Sequence, residues 1–345
     1  MSLQTNDPRL IALDWGTSSL RAYLLGPSAA ILAENSLSAG IMQIKRSGFR
    51  AGLGAAFEKA FEQACGSWLG ATPSLPILAS GMIGSAQGWR EAHYLNVPVD
   101  MFEVGNHLTQ LKTSTGKRIH IVPGLVRRGK LVNVMRGEET QILGALIACG
   151  PSVDLRKVLI GLPGTHTKWA RVSGTAVEDF ETFMTGEVYA ALCEHTILGC
   201  TMKPTSSFHA EAFDRGLRIA QGAIGQMGVL SNIFSVRTFA LTDGLSAEEQ
   251  GDYLSGLLIG HEINTLRAFH DEGDASSPEP LPILLIGQPH LCMRYQRALE
   301  FNSYKRVIVI ADATIRGLWQ IAVQASLVAQ TTVSPMTPAE RPGLC

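Results

Sequence analysis

The sequence predicts an α/β protein, and three observations carry that reading. Apolar strands run into glycine turns at Leu10 and Val158, apolar residues recur at helical spacing between strands, and the chain is long enough for two cores. The 345 residues favour about two domains, each able to bury its own interior. Chain order places the first domain at 1–150, the second at 151–330 and a flexible tail rich in Pro and polar residues at 331–345.

The first element, LIALDWGTSSLRAYLL from Leu10 to Leu25, reads as a buried strand, a tight polar turn and a second strand. The apolar run ends at Asp14, and a carboxylate at the end of a buried strand can hold Mg²⁺ through its waters. Gly16 lets the backbone turn, Thr17, Ser18 and Ser19 supply hydroxyl and N–H donors for phosphate oxygens, and Arg21 follows on the outgoing strand. An ordinary hairpin has the same composition, because turns favour Asp, Gly, Ser and Thr for conformational reasons alone.

Leu53 to Trp68 carries apolar residues at helical spacing, Pro76 to Ala79 reads as a strand, and the glycine-rich ASGMIGSAQGW follows as a loop. WREAHY, from Trp89 to Tyr94, reads as the exposed first turn of a helix. Glu138 to Ala148 begins with two carboxylates, which suit the positive end of a helix dipole, and continues as an apolar helix between the two halves.

The second half opens as the first does. VLIGLPGTHTKW, from Val158 to Trp169, is a short apolar strand that enters a Gly-Thr turn at Gly164 and Thr165, with His166, Thr167 and Lys168 close behind. Two such turns, one opening each half, suggest two phosphate clamps. Neither is a P-loop, since Gly164 and Thr165 are not followed by its Lys-Ser or Lys-Thr pair, and no G-x-G-x-x-G closes a strand. Ser255 to Phe269 reads as a helix, Asp271 to Pro282 as a polar surface loop, and Ile283 to Ile286 as a buried strand leading to the Gly287 turn. A further strand, Val307 to Ile310, leads into a closing helix from about Thr314.

Composition limits the partners. A net charge of −1 offers no basic field for nucleic acid and no polybasic membrane patch, which favours a small-molecule partner. Cys65, Cys149, Cys193, Cys200, Cys292 and Cys345 form no C-x-x-C pair and no zinc spacing, as expected of reduced thiols in a cytoplasmic protein. The N-terminus lacks a signal-peptide pattern, and no apolar run approaches the ~20 residues of a membrane span.

The order of strand hairpin, acidic helix, second hairpin, glycine turn and closing helix resembles the superfamily of sugar kinases, actin and heat-shock chaperones. Within it the chain is similar to the 2-keto-3-deoxygalactonokinase family. The resemblance rests on ALDWGTSSLRAYL at 12–24, ASGMIGSAQGWREAHYLNVP at 79–98, IVPGL at 121–125, NVMRGEETQILGA at 133–145, LPGTHTKW at 162–169, FMTGE at 183–187 and SGLLIGHE at 255–262. It spans Ile11 to about Ala322. NVMRGEETQ and PGTHTKW are its specific strings.

The resemblance implies two actin-like ATPase domains, ribonuclease H-like in architecture, with an ATP and substrate cleft between them. It also implies transfer of the γ-phosphoryl group of MgATP to the C6 hydroxyl of 2-keto-3-deoxygalactonate in galactonate breakdown. At the turn after Ile283 the family pattern leads one to expect a small Gly-Thr-Ser type turn against adenine, and GQPHLCMRY departs from it through Pro289 and His290.

Phosphoryl transfer needs bound phosphates, charge neutralised by Mg²⁺ and a carboxylate to take the attacking hydroxyl's proton. Asp14 is the candidate metal carboxylate. Gly16, Thr17, Ser18 and Arg21, with Gly164, Thr165, His166, Lys168 and Gly287, are the candidate nucleotide residues. Glu138 or Glu139 is the candidate base, with Glu138 preferred; both would also simply favour a helix N-terminus. Arg136 is placed to pair with a substrate carboxylate. Met82, Gly84, Ser85 and Trp89 are the candidate remainder of that pocket, with Arg90 and Tyr94 behind them. A kinase for the gluconate-derived epimer and a non-catalytic sugar-acid sensor on the same fold are the alternatives, and assembly as a homodimer is left open.

Overall fold

The computed structural model describes residues 7–47, 52–150, 153, 155–271 and 281–329. The 331–345 tail and most of the 271–282 loop lie outside the described residues. The chain divides into two compact units: one runs to Val126 and takes in Val134–Ile147 and the chain from Asp312, and the other comprises Arg127–Asn133 and Ala148–Ala311.

In the first unit the strands Ile31–Leu37, Leu20–Leu25, Leu10–Trp15, Ile77–Gly81, Arg118–Ile121 and Thr109–Lys112 lie side by side in that order. Leu10–Trp15 is antiparallel to Leu20–Leu25, with Asp14 opposite Arg21, and parallel to Ile77–Gly81, with Asp14 beside Ser80. A parallel neighbour needs a crossover, and the helix Leu53–Ala71 lies on that connection, burying Phe57, Phe61 and Cys65. These pack with Ile11, Leu13, Trp15 and Ile77 into one core.

The second unit repeats the plan. Ala176–Phe183, Thr167–Ser173, Val158–Leu162, Ile283–Leu285 and Val307–Val309 are neighbours in that order. The first three pair antiparallel and the last three parallel, so order and sense match those of the first unit. This is the ribonuclease H-like arrangement of an actin-like domain, present in each unit. Its core joins Leu159, Trp169, Ile283 and Leu285 to Phe213, Ile259 and Tyr295 on the covering helices Ala210–Gln221, Gln250–Asp271 and Pro289–Phe301.

Three local expectations change. The closing helix Ala313–Gln324, assigned by chain order to the second half, belongs to the first unit. It crosses the helix Glu138–Cys149 so closely that a Cβ on Gly144 would meet the Ala313 carbonyl oxygen at 1.8 Å, and one on Gly317 the Thr140 carbonyl oxygen at 1.9 Å. WREAHY is not helical: the chain bends through it and enters the short strand Tyr94–Asn96. Pro289 and His290 open the helix Pro289–Phe301, Pro289 occupying a first-turn position where its missing N–H costs nothing.

Candidate functional site

Within the first unit, three strand or turn ends meet where Trp15, Gly81 and Gly137 come together. Gly81 has φ +95° and Gly137 φ +104°, a region L side chains rarely occupy. A Cβ on Gly81 would stand 2.7 Å from the Trp15 carbonyl oxygen, and one on Gly137 3.3 Å from Gly81 Cα. This contact brings the helix that starts at Glu138 against the end of the strand that carries Asp14.

Asp14 is half-buried, and its carboxylate is paired with Arg21 across the hairpin at 2.7 Å. Burial pushes its carboxyl above the ordinary carboxylate value, with Arg21 acting the other way. Thr17 and Ser18 are exposed and Gly16 half-exposed. The turn is braced from behind, where Ile41 N–H donates to the Gly16 carbonyl and Met42 N–H to that of Thr17, each at 3.2 Å.

The two glutamates face different surroundings. Glu139 is fully buried, accepting from Gly137 N–H at 2.6 Å, Thr140 Oγ1 at 3.1 Å and Ser80 Oγ at 3.3 Å. Burial, helped by the neighbouring Glu138 charge, raises its carboxyl to about 7. Glu138 is half-exposed, and one carboxylate oxygen accepts the Arg136 N–H at 2.9 Å.

Arg136 is 8 % exposed. Its Nη2 donates to the Ala92 carbonyl at 2.7 Å, and its guanidinium carbon stands 4.3 Å from the Tyr94 ring centroid, a cation–π contact. Nε and Nη1 have no hydrogen-bond partner. Gly84 makes the space: a Cβ there would meet Nη1 at 2.9 Å and Ile121 Cγ2 at 2.8 Å. Beside it, an open groove of about 460 Å³ is lined by Arg90, Glu91, Ala92, His93 and Tyr94. A buried cation with two idle donors is costly in isolation, so the position suits an anion.

The rest of the glycine-rich loop packs. Ser85 Oγ donates to the Met82 carbonyl at 2.8 Å, Met82 packs on the core, and Trp89 stacks on Phe57 with 5.9 Å between centroids and meets Trp15 edge-on. Trp89 and Met82 thus brace the loop from the core side, while Tyr94 lines the groove and the Arg136 guanidinium packs against its ring.

In the second unit, Thr165 and His166 are exposed and Gly164 is half-exposed. His166 Nε2 bonds Glu187 at 2.5 Å. Lys168 is buried, and its ammonium donates to Thr182 Oγ1 at 2.8 Å, bracing the strand pair behind the turn. Gly287 lies against the same turn, since a Cβ there would be 3.0 Å from the Pro163 carbonyl oxygen.

The candidate residues therefore fall into two local groups: Asp14, Gly16–Ser18, Arg21, Met82–Ser85, Trp89, Arg136, Glu138 and Glu139 in the first unit, and Gly164–Lys168 with Gly287 in the second. Sequence reasoning passed over Ser80, which bonds both Glu139 and Thr140 and is the register neighbour of Asp14. It also passed over Glu262, a buried carboxylate in the SGLLIGHE string. Among the described residues no cluster of three His, Cys, Asp or Glu side chains could hold a metal, and no helix is long and apolar enough to cross a membrane.

A profile of the family described as 2-keto-3-deoxy-galactonokinase matches residues 14–321. The chain is 33% identical over 315 residues to the probable 2-dehydro-3-deoxygalactonokinase of Rhizobium meliloti, covering 91% of this chain and 96% of that protein. It is 33% identical over 316 residues to the 2-dehydro-3-deoxygalactonokinase of Escherichia coli, covering 91% and 97%. A crystal structure from Sinorhizobium meliloti, provisionally assigned as the same enzyme, superposes with a TM-score of 0.76 at 32% identity, covering 91% of this chain and 98% of that one.

Proposed function

Because this chain belongs to the 2-keto-3-deoxy-galactonokinase family, we propose that it transfers the γ-phosphoryl group of MgATP to the C6 hydroxyl of 2-keto-3-deoxygalactonate, in D-galactonate catabolism. The observation that carries the substrate class is Arg136, a buried guanidinium whose Nε and Nη1 have no partner in the protein. A substrate carboxylate accepting from Nη1 would make a charge-assisted hydrogen bond of the kind that selects acids over neutral sugars.

The remaining residues suit the two groups such a reaction needs. Asp14, a carboxylate at a strand end held beside a cation, fits a hydrated Mg²⁺. Bound there, the metal would neutralise phosphate charge in the transition state. The exposed Gly16–Ser18 and Gly164–Thr165 turns offer the donors a polyphosphate requires. Glu138 takes the C6 hydroxyl proton. It is open to solvent and anchored by the Arg136 N–H, so the residue that binds the acid also orients the base. Glu139, sealed among Ser80, Thr140 and the Gly137 N–H, holds the helix start in place.

An ATP-coupled assay over a panel of 2-keto-3-deoxy sugar acids, with the product's phosphate located by NMR, tests the proposal. Turnover is expected with 2-keto-3-deoxygalactonate, with phosphate on C6. A preference for the gluconate-derived epimer would reassign the substrate. Binding of the acid without ATP consumption would make the protein a sensor.

A further inference from the structure

Under the Gly164–Thr165 turn lies a buried carboxylate that the phosphotransfer chemistry does not use. Glu262, on the helix Gln250–Asp271, is 3 % exposed. It accepts three hydrogen bonds, from Trp169 Nε1 at 2.6 Å, from Tyr295 OH at 2.8 Å and from Thr185 Oγ1. Tyr295 OH lies 2.9 Å from Thr167 Oγ1. With the tyrosine proton given to the carboxylate, Thr167 is the donor to Tyr295, and the chain of donors runs from strand to carboxylate.

Each donor sits on an element that borders the turn. Thr167 begins the strand leaving it, and Trp169 is two residues further along. Thr185 is the first residue of the helix Thr185–His195, and Tyr295 belongs to the helix that begins just after Gly287. Helix 185–195 touches the turn directly. A Cβ on Gly186 would meet the Gly164 carbonyl oxygen at 2.3 Å and Thr165 Cα at 2.9 Å, and Glu187 N–H donates to the Thr165 carbonyl at 2.9 Å. One carboxylate therefore ties together the exit strand, the helix pressed on the turn and the helix behind Gly287.

Stability alone is a poor account of this residue. Its three donors are neutral, and burying a carboxylate without a cation costs more than an apolar replacement of similar shape. Desolvation raises its carboxyl to about 7 in spite of those donors. What the network supplies is fixed geometry, which electrostatic binding of a phosphate requires in advance.

We propose that Glu262 is a positioning residue for the nucleotide: through Thr185, Trp169 and the Tyr295–Thr167 pair it holds the Gly164–Thr165 turn in its phosphate-binding shape. This rests on the reading of that turn as a nucleotide phosphate site.

The test is steady-state kinetics and MgATP calorimetry on Glu262→Gln, Thr185→Val, Thr185→Ser and Gly186→Ala, each checked for a cooperative melt. Glu262→Gln is expected to raise the KM for ATP about tenfold or more while leaving the KM for the sugar acid within about twofold. Thr185→Val should reproduce that split and Thr185→Ser should rescue it, and the Glu262→Gln/Thr185→Val double variant should be no worse than the weaker single one. A folded Glu262→Gln protein that shifts both KM values alike, or neither, overturns the positioning role. If Glu262→Gln does not fold, Thr185→Val decides, and an unchanged KM for ATP there overturns it equally. Gly186→Ala separates the two levels, because the nearest atoms its Cβ would meet belong to the turn itself, the Gly164 carbonyl oxygen and Thr165 Cα. A raised KM for ATP in Gly186→Ala alone keeps the turn as a phosphate site and removes Glu262 from it. No change in any variant removes both.

Discussion

Asp14 and Arg21 are register partners on adjacent antiparallel strands, and their side chains form an ion pair 2.7 Å long at the turn end of the first hairpin. Desolvation of Asp14 works against its ionised form, and Arg21 opposes that effect, so the arginine favours the charged form that a metal would need. Asp14→Asn is therefore expected to lower kcat about 100-fold or more while MgATP binding stays measurable by calorimetry. Near-normal turnover would remove Asp14 from metal binding. Arg21→Gln should give a milder loss that grows as pH falls, because Asp14 then protonates more readily.

The paired glutamates are separated by exposure. Glu138 reaches solvent and Glu139 does not. Glu138→Gln should depress kcat by the roughly 10²- to 10⁴-fold typical of a lost acid–base group, with little change in either KM. Glu139→Gln should be milder. The reverse ranking in steady-state kinetics would transfer the base to Glu139, and small effects in both would reduce them to favourable charges at a helix start.

Both hairpins, the acidic helix and the strands Ile77–Gly81, Ile283–Leu285 and Val307–Val309 were legible in the sequence from local apolar patterns, most with a glycine or acidic boundary. Leu10–Trp15, Leu53–Ala71 and Val158–Leu162 all show such a pattern. Ile31–Leu37 was not legible: it lies at a sheet edge with no fully buried residue, so it carries little apolar signal. The closing helix was recognised as a helix but assigned by chain order to the second half, since its partner Gly144 is far away in sequence. The same distinction runs through the candidate site. Arg136, Glu138 and Glu139 are adjacent in one string, whereas Ser80 and Glu262 acquire meaning only through contacts 59 and 93 residues away.

Glu139 also predicts a pH dependence of stability. Its carboxyl is raised from 4.5 to about 7 in the folded protein, mainly by desolvation and next by Glu138, with Arg136 acting in the opposite direction. Between those values the folded state binds more protons than the unfolded one, so this group's contribution falls as pH rises from 4.5 to 7. Glu139→Gln cannot ionise and lacks that decline. Urea unfolding at about pH 5 and pH 8 should show the variant gaining on the wild type at the higher pH. An equal difference at both pH values would mean that Glu139 is not held protonated by its burial.

Arg136 and Gly84 make the last prediction, because the glycine's missing side chain is what gives Nη1 its room. Arg136→Ala should raise the KM for the 2-keto-3-deoxy sugar acid and cost about 2 to 5 kcal/mol in kcat/KM if the lost pair is fully buried. The KM for ATP should stay near the wild-type value. Gly84→Ala should act on the same contact from the other side: its Cβ would lie 2.9 Å from Nη1, so the guanidinium must shift, and the acid's KM should rise without loss of the charge. Arg136→Lys keeps the charge but not the guanidinium's planar array of donors, and should recover only part of the affinity. The deciding comparison is the acid against a neutral analogue of equal length. If the wild type phosphorylates both equally well, or Arg136→Ala keeps the wild-type preference for the acid, the carboxylate is bound elsewhere and Arg136 serves only Ala92 and Tyr94.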